Sequence, residues 1–507
     1  MAGYTDSNED WSSNAAFILA AVGSAVGLGN LWRFPYVAGE NGGGVFVVFY
    51  LLCVVLIGLP VLTAELFIGR RGHMSAVGSV VKIAKSEGRS TLWSLQSWFG
   101  MIGSFVILTF YSVIAGWVLA YAIMIGADLF QAIASKGLAG AKAGVFADLT
   151  KEEIGAKLSD LLQNPARMIM YHAIFMFITV FIVSRGVKGG IEAAVKLLMP
   201  AFFVMLLVLV GFSVTNGDTG RGFDFLFGFR FDDVTNANGE VVAKGFMNGL
   251  KDGSVISAAL GQAFFSLSLG SALMLTYGAH MSRDQSIPNS TGIIGVSDSL
   301  VGILAGIAIF PIVFQVGLDP TAGPTLMFQT LPQAFQDMPW GGVFGLIFFL
   351  LAFFAAVTSS IALLEASTAW FEEQQPGRQR TMISIGLGGV AFVIGIANAL
   401  SQVPTTGPDG QPVDTFFNSW QPLGAVPLFE GKTLLDFFDA TTNIILPLAG
   451  LITAIFAGWI VSRSVAREEI GFASEAWFGR WLFLIRYVCP TAIAAVLLYS
   501  LIVPFLT

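Results

Sequence analysis

Gly23-Ser24-Ala25-Val26-Gly27-Leu28-Gly29-Asn30 stands in the middle of the first apolar run of the chain, and Ser266-Leu267-Ser268-Leu269-Gly270-Ser271 in the middle of the sixth. Glycine costs a helix interior about 1 kcal/mol relative to alanine, and serine offers the backbone competing hydrogen bonds. Both stretches therefore weaken a helix at mid-depth. They lie five apolar runs apart, at corresponding positions of a first five and a second five. Paired Gly-interrupted spans in corresponding halves point to a transporter built from inverted repeats, with its site at the breaks. Close helix packing through small residues explains the same composition, and spacing alone leaves both readings open.

The rest of the chain settles the solvent. Of 507 residues 55% are hydrophobic and 12% charged, against about 25% charged in soluble domains; mean hydropathy is +0.75. Runs such as Val45–Pro60, Ala201–Ser213 and Phe344–Val357 carry no charge. Extended to near 20 residues with almost no charge, such runs read as membrane helices; the alternating ten-residue segments of an outer-membrane barrel are absent. Eleven spans are predicted, near 14–37, 44–70, 98–130, 167–184, 191–213, 255–280, 291–317, 341–374, 381–399, 433–461 and 481–505. The fold class is thus an all-α membrane protein.

The basic residues give orientation. Arg70, Arg71, Lys82, Lys85 and Arg89 follow span two, Arg185 and Lys188 span four, and Arg283 span six. Arg378 and Arg380 precede span nine, and Arg463, Arg467 and Arg480 span eleven, whereas the opposite loops 319–340 and 400–433 hold only Lys432. Positive charge marks the cytoplasmic side, so the N-terminus is expected inside and, after an odd number of spans, the C-terminus outside. The acidic segment Met1–Asp10 lacks the basic start of a signal peptide, and the first span is expected to be retained. The outer loops 131–166, 214–254 and 400–433 are polar and too short for separate domains. The net charge of −7 resides in loops and suggests no nucleic-acid partner. Cys53 and Cys489 fall in apolar runs, and His73, His172 and His280 are scattered, so neither a disulfide nor a metal cluster is expected.

Longer motifs sharpen this reading. Gly27-Leu28-Gly29-Asn30-Leu31-Trp32-Arg33-Phe34-Pro35 with Glu40-Asn41-Gly42-Gly43-Gly44, then Phe264-Phe265-Ser266-Leu267-Ser268-Leu269-Gly270, then Thr358-Ser359-Ser360 follow one another in register. They resemble the first-, sixth- and eighth-span signatures of the neurotransmitter:sodium symporter family, in particular its bacterial amino-acid-transporting branch and the bacterial leucine transporter. The resemblance implies two inverted five-helix repeats with spans one and six broken. The implied division is a cytoplasmic tail at 1–10, a first repeat at 11–213, an outer loop at 214–254, a second repeat at 255–461, and an inner loop with the eleventh helix at 462–507. It also implies a place in the bacterial inner membrane.

Sodium prefers oxygen ligands, which unwound carbonyls supply at mid-membrane without burying free charge. By resemblance, one sodium would be held by the Ala25 carbonyl, Asn30, Ser266, Asp298 and the substrate carboxylate. A second would be held by the carbonyls of Gly23, Val26 and Ala355 and the hydroxyls of Thr358 and Ser359. Asp298 stands where the family more often has Asn, and Gly302 where animal members carry a chloride-ligating Ser. An acid within a span is costly and points to function. Gly27 occupies the position of the amine-pairing Asp of monoamine carriers, so the substrate should bring its own carboxylate. Tyr111 and the amides of Leu28 and Gly29 would receive that carboxylate, and carbonyls near Ala25, Phe265 and Ser268 the ammonium. The implied side-chain pocket is Ile107, Phe265, Ser268, Ser271, Ser359 and Leu363. Ser271 replaces a bulkier Phe or Met, and Ala272 a more usual Gly, so a roomier or more polar floor is expected.

Arg33 and Asp439 correspond to the outer gate, with Asp436 a rival for Asp439, and Glu65 is expected to receive N–H groups from broken span six. Gly190 and Pro200 match the family's unwinding motif in span five. The inner gate departs from the family. Trp11 is present, but the basic residue three positions before it is Asn8, the partner Tyr is His280, and the span-eight acid is Glu373. His280, facing Glu373 or the acidic tail, is expected to stand in for part of the missing closure.

The implied function is sodium-coupled import of a small zwitterionic amino acid by alternating access, independent of chloride. No organic cofactor, nucleic acid or obligate protein partner is expected, and no nucleophile–base pair suggests an enzyme. The alternatives are a carrier of the same fold with other ion coupling, or a nontransporting amino-acid sensor.

Overall fold

The computed structural model describes residues 10–235, 241–243, 245–318, 323–375, 377–405, 413 and 415–505. Asn8, invoked above for the inner gate, lies outside the described residues, as does the rest of the tail before Asp10. Among the described residues nine helices are long and apolar enough to cross a membrane: Gly44–Gly72, Thr91–Lys136, Pro165–Val183, Val187–Asn216, Ile287–Gln315, Gly341–Gln374, Arg380–Leu400, Leu434–Ile460 and Glu475–Ile502. They are spans two to five and seven to eleven of the sequence reading, each within a few residues.

The other two spans are broken where the small residues lie. Span one is Asn14–Ala25 and Gly29–Glu40, bent by 49°. Ser13 starts it by accepting from the Ala16 N–H, and Val26 leaves it in extended conformation. Span six is Ser254–Ser266 and Leu273–Ala279. Between its halves Ser268, Gly270 and Ala272 all adopt positive φ, at 54°, 71° and 63°. An L-residue in this region costs roughly 1–2 kcal/mol, so Ser268 and Ala272 are held there by their surroundings.

Span five answers its motif differently. Val187–Glu192 forms a wide π turn, and Ala193–Asn216 runs on as α-helix through Pro200. The loosening expected between Gly190 and Pro200 is confined to that first turn, where a Cβ on Gly190 would meet the Ile182 carbonyl at 2.0 Å.

Spans three and eight are buried along most of their length, while spans four, five and eleven are buried along one face. The second half of span six packs against both, span one packs against span eight, and Leu28 in its break meets Tyr111 of span three, so the breaks sit inside the bundle. The outer loops carry more structure than their polarity suggested. Lys151–Leu162 begins with a Thr150/Glu153 capping box, Thr219–Phe227 starts from an Asp218 cap, and Val234–Thr235 pairs antiparallel with Val241–Ala243.

Candidate functional site

The two breaks face each other. Gln262 Nε2 donates to the Gly29 carbonyl at 2.9 Å, and Ser268 Oγ to the Ser24 carbonyl at 3.3 Å. Gly29 permits this approach, because a Cβ there would stand 2.8 Å from the Phe265 ring.

On one side of the breaks lies a carboxylate with three donors. Asn30 Nδ2 is 2.8 Å from Asp298 Oδ1 and 3.0 Å from both Ser266 Oγ and the Asp298 carbonyl. Ser266 Oγ donates to Asp298 Oδ2 at 2.5 Å, and Tyr50 OH donates to the same oxygen at 3.3 Å. Asp298 is wholly buried, and a buried carboxylate is tolerable when its oxygens are hydrogen-bonded. Asn30, Ser266 and Asp298 are thus together, with Ala25, the last residue of the helix before the break, on the adjoining cavity wall. Tyr50 was not anticipated. Its signal was a single phenol in the apolar run of span two.

On the other side, Thr358 Oγ1 donates to the Ala355 carbonyl at 3.0 Å, and Ser359 Oγ lies 3.5 Å from the Val26 and Ser24 carbonyls. Gly23 packs on Thr358, whose Cβ is 3.4 Å from where a Gly23 Cβ would stand. Gly23, Val26, Ala355, Thr358 and Ser359 therefore converge. Among the described residues no three His, Cys, Asp or Glu side chains gather to hold a metal. Neutral oxygens with one carboxylate suit a hard, weakly charged cation.

Between these groups is a small cavity. Ala25, Leu28, Gly29, Ile107, Tyr111, Phe265, Ser268, Ser271, Ser359 and Leu363 all line it, joined by Ser24, Gly27, Leu273 and Leu446. One end is polar: the Leu28 N–H is 3.4 Å from Tyr111 OH. A Cβ on Gly27 would intrude there, 2.5 Å from Ser359 Oγ. The other end is apolar, closed by Ile107, Leu363 and Leu446. Ser271 lines the cavity too, and its hydroxyl donates to the Ser268 carbonyl. Glu65 Oε1 accepts the Gly270 N–H at 2.7 Å.

Above the cavity, Arg33 lies over the Phe265 ring, 4.7 Å from its centroid. Its Nη2 donates to Asn443 Oδ1 at 3.3 Å, and Asn443 Nδ2 donates to Asp439 Oδ2 at 3.2 Å. Arg33 and Asp439 are therefore joined through an amide, with no direct ion pair among the described residues. Asp436 is occupied at its own helix start by Thr433.

Below the cavity, Trp11 packs edge-on to Tyr277 and His280, donates its indole N–H to the Tyr277 carbonyl at 3.2 Å, and gives its backbone N–H to the His280 carbonyl. Glu373 is seated elsewhere, accepting the Ser75 N–H at 2.7 Å at the start of the helix Ala76–Ser86. Other charges tie this face together. Glu192 accepts from the Ser12 N–H at 3.0 Å and from Lys196 Nζ at 2.5 Å. Arg380 bonds the buried Glu365, Glu372 and the Val183 carbonyl. Glu365, an acid within an apolar run of span eight, was visible in the sequence by the same criterion as Asp298. Glu192 and Lys196 carried no comparable signal, since they sit at a span end where charges are ordinary.

The chain matches the model of the sodium:neurotransmitter symporter family over residues 8–128 and 150–407. It is 35% identical to an uncharacterized sodium-dependent transporter of Bacillus subtilis, YhdH, over 96% of each chain. It is 24% identical to sodium-dependent nutrient amino acid transporter 1 of Drosophila grimshawi, over 97% of this chain and 76% of that one. The crystal structure of MhsT in complex with L-phenylalanine superposes with a TM-score of 0.80 at 36% identity, covering 97% of this chain and 99% of that chain. With this family model, these relatives and this superposition, the chain belongs to the sodium:neurotransmitter symporter family.

Proposed function

We propose that the protein imports a small zwitterionic amino acid across the bacterial inner membrane, coupled to two sodium ions and independent of chloride. The observation that carries this reading is the position of the cavity: its polar end, left open by Gly27, lies between the Asn30–Ser266–Asp298 group and the Gly23–Val26–Thr358–Ser359 group. A carboxylate at that end meets the Leu28 N–H and Tyr111 OH and completes the first ion's shell. The ammonium meets carbonyls near Ala25, Phe265 and Ser268. The second ion takes the carbonyls of Gly23, Val26 and Ala355 with the hydroxyls of Thr358 and Ser359. Spans 11–213 and 255–461 then act as two inverted repeats about this site, with the N-terminus cytoplasmic and the C-terminus outside.

Chloride independence follows from charge. Asp298 supplies a fixed negative group next to the first ion, and Gly302 offers no hydroxyl. The space beside Gly302 is taken by the Phe34 ring, 3.3 Å from where a Cβ would be. The driving force is ample. Each charge moved through 100 mV yields about 2.3 kcal/mol, and a tenfold gradient about 1.4 kcal/mol per ion. Two ions thus supply roughly 7 kcal/mol, an upper limit of about 10⁵-fold accumulation.

The test is uptake of labelled amino acids into proteoliposomes, with and without an inward sodium gradient, in chloride and in gluconate. Sodium-driven accumulation in both salts is expected. Equal accumulation without sodium would refute the coupling, and strict chloride dependence would refute the role of Asp298.

A further inference from the structure

The floor of the cavity is not self-supporting. Leu267–Ala272 has no helix of its own, and two of its positive-φ residues, Ser268 and Ala272, are not glycine. Three neighbouring spans hold it. Span two gives Glu65 to the Gly270 N–H. Span ten presses its backbone on Gly270, where a Cβ would stand 2.0 Å from the Leu446 carbonyl. Span three does two things one turn apart. Gly100 leaves room for the chain, since a Cβ there would be 2.6 Å from the Gly270 carbonyl and 2.8 Å from the Ala272 nitrogen. Ser104, fully buried, donates its hydroxyl to the Ser271 carbonyl. One further turn along the same face is Ile107, on the cavity wall.

We propose that Ser104 is a positioning residue for substrate selection: through the Ser271 carbonyl it fixes the height of the cavity floor and so decides which side chains fit. This rests on the reading of the cavity as an amino-acid site. Ser104 does not line the cavity. Its effect passes through Ser271, whose own hydroxyl is engaged with the Ser268 carbonyl and cannot compensate. Removing the Ser104 hydroxyl leaves a buried carbonyl short of a donor and opens a gap beneath it, and the floor settles toward span three. A lost hydrogen bond of this kind corresponds to about a fivefold change in an equilibrium.

Two measurements test this, one of which needs no knowledge of the substrate. In competition against a labelled amino acid, Ser104→Ala is expected to shift the phenylalanine-to-alanine ratio of inhibition constants about fivefold, while Ser104→Thr, which keeps the hydroxyl, retains the original ratio. Ser112→Ala is the control, because it removes an equally buried hydroxyl of span three that bonds only to Leu108 of its own helix. In parallel, Ser271→Cys is labelled with a small thiol reagent in a Cys53→Ser, Cys489→Ser background, since both native cysteines are buried as Ser271 is. Ser104→Ala is expected to change that labelling rate about fivefold. An unchanged ratio with an unchanged labelling rate overturns the proposal, as does an equal shift in Ser112→Ala. If Ser104→Ala does not accumulate, Ser104→Cys carries the same comparison. If the unmodified protein accumulates no amino acid, the proposed function falls, and the labelling rate alone decides the role of Ser104.

Discussion

Gly27→Ala is the smallest change that tests the polar end of the cavity. The added methyl would lie 2.5 Å from Ser359 Oγ and 3.2 Å from Tyr111 OH, well inside the 3.5–4.0 Å at which carbon atoms pack. Ser359 can turn away, but its hydroxyl then leaves the neighbourhood of the Val26 carbonyl, now 3.5 Å distant. Turning a buried side chain off its preferred rotamer costs about 1 kcal/mol, and losing a neutral hydrogen bond about another. Together they amount to about 2 kcal/mol, or about thirtyfold. Because Ser359 is common to the cavity and to the second oxygen group, the half-saturation for both amino acid and sodium should rise by about that factor. Binding of labelled amino acid in detergent, titrated with sodium, measures both. A double-mutant cycle adds a sharper check: Ser359→Ala removes the clashing atom, so Gly27→Ala should cost clearly less in that background. Unaltered half-saturations in Gly27→Ala, or strict additivity in the cycle, would refute the contact and with it the carboxylate end of the site.

Thr358→Ala with Ser359→Ala should abolish sodium stimulation of uptake in proteoliposomes, and undiminished uptake would remove the second ion from that place. Asp298→Asn should lower uptake about tenfold or more, since it takes the only carboxylate from the first oxygen group, or make it depend on chloride; comparison of chloride and gluconate media decides. Arg380→Gln leaves the buried Glu365 without its cation and should destabilise the protein by about 3 kcal/mol. Melting in detergent should show a loss that a further Glu365→Gln largely restores, and no recovery in the double variant would mean that Arg380 acts through something other than this pair.

The fold was legible in the sequence because lipid leaves the backbone few choices. A run of about 20 apolar residues without charge becomes a helix, and among the described residues the nine long apolar helices and the bent pair Asn14–Ala25 and Gly29–Glu40 fall where the runs do. The breaks were legible for the complementary reason: Gly27, Gly29 and Gly270 could not be part of a strong helix, and the Ser-rich segment beside Gly270 offered no resistance. The cavity wall was legible through resemblance, residue by residue. What the sequence concealed were contacts between distant side chains. Nothing local says that the Ser271 hydroxyl gives its proton to the Ser268 carbonyl. Nor does Glu373 announce that the start of the Ala76–Ser86 helix claims it ahead of His280. The span-five motif shows a third limit. Gly190 and Pro200 permit a helix to open, but the surrounding bundle decides whether it does, and here it stays wound.

Asn443 has a consequence for how the Arg33 end of the site comes apart. Two opposite charges about 4 Å apart near a protein surface attract by about 4 kcal/mol, and that attraction weakens as salt is added. With the amide interposed, each charge is tethered to a dipole, and the tethers can be released in turn rather than in a single event. This end of the site is then expected to open like a two-tooth zipper: easily started, less sensitive to ionic strength than a direct ion pair, and dependent on side-chain shape at position 443. Asn443→Asp should turn it into a charged clasp on Arg33 and slow its release. Labelling of a cysteine placed at Ile107 should then fall steeply in the variant and vary with salt there, while in the unmodified background it varies less from low to high ionic strength. A strongly salt-dependent rate in that background would show that Arg33 and Asp439 meet directly during transport.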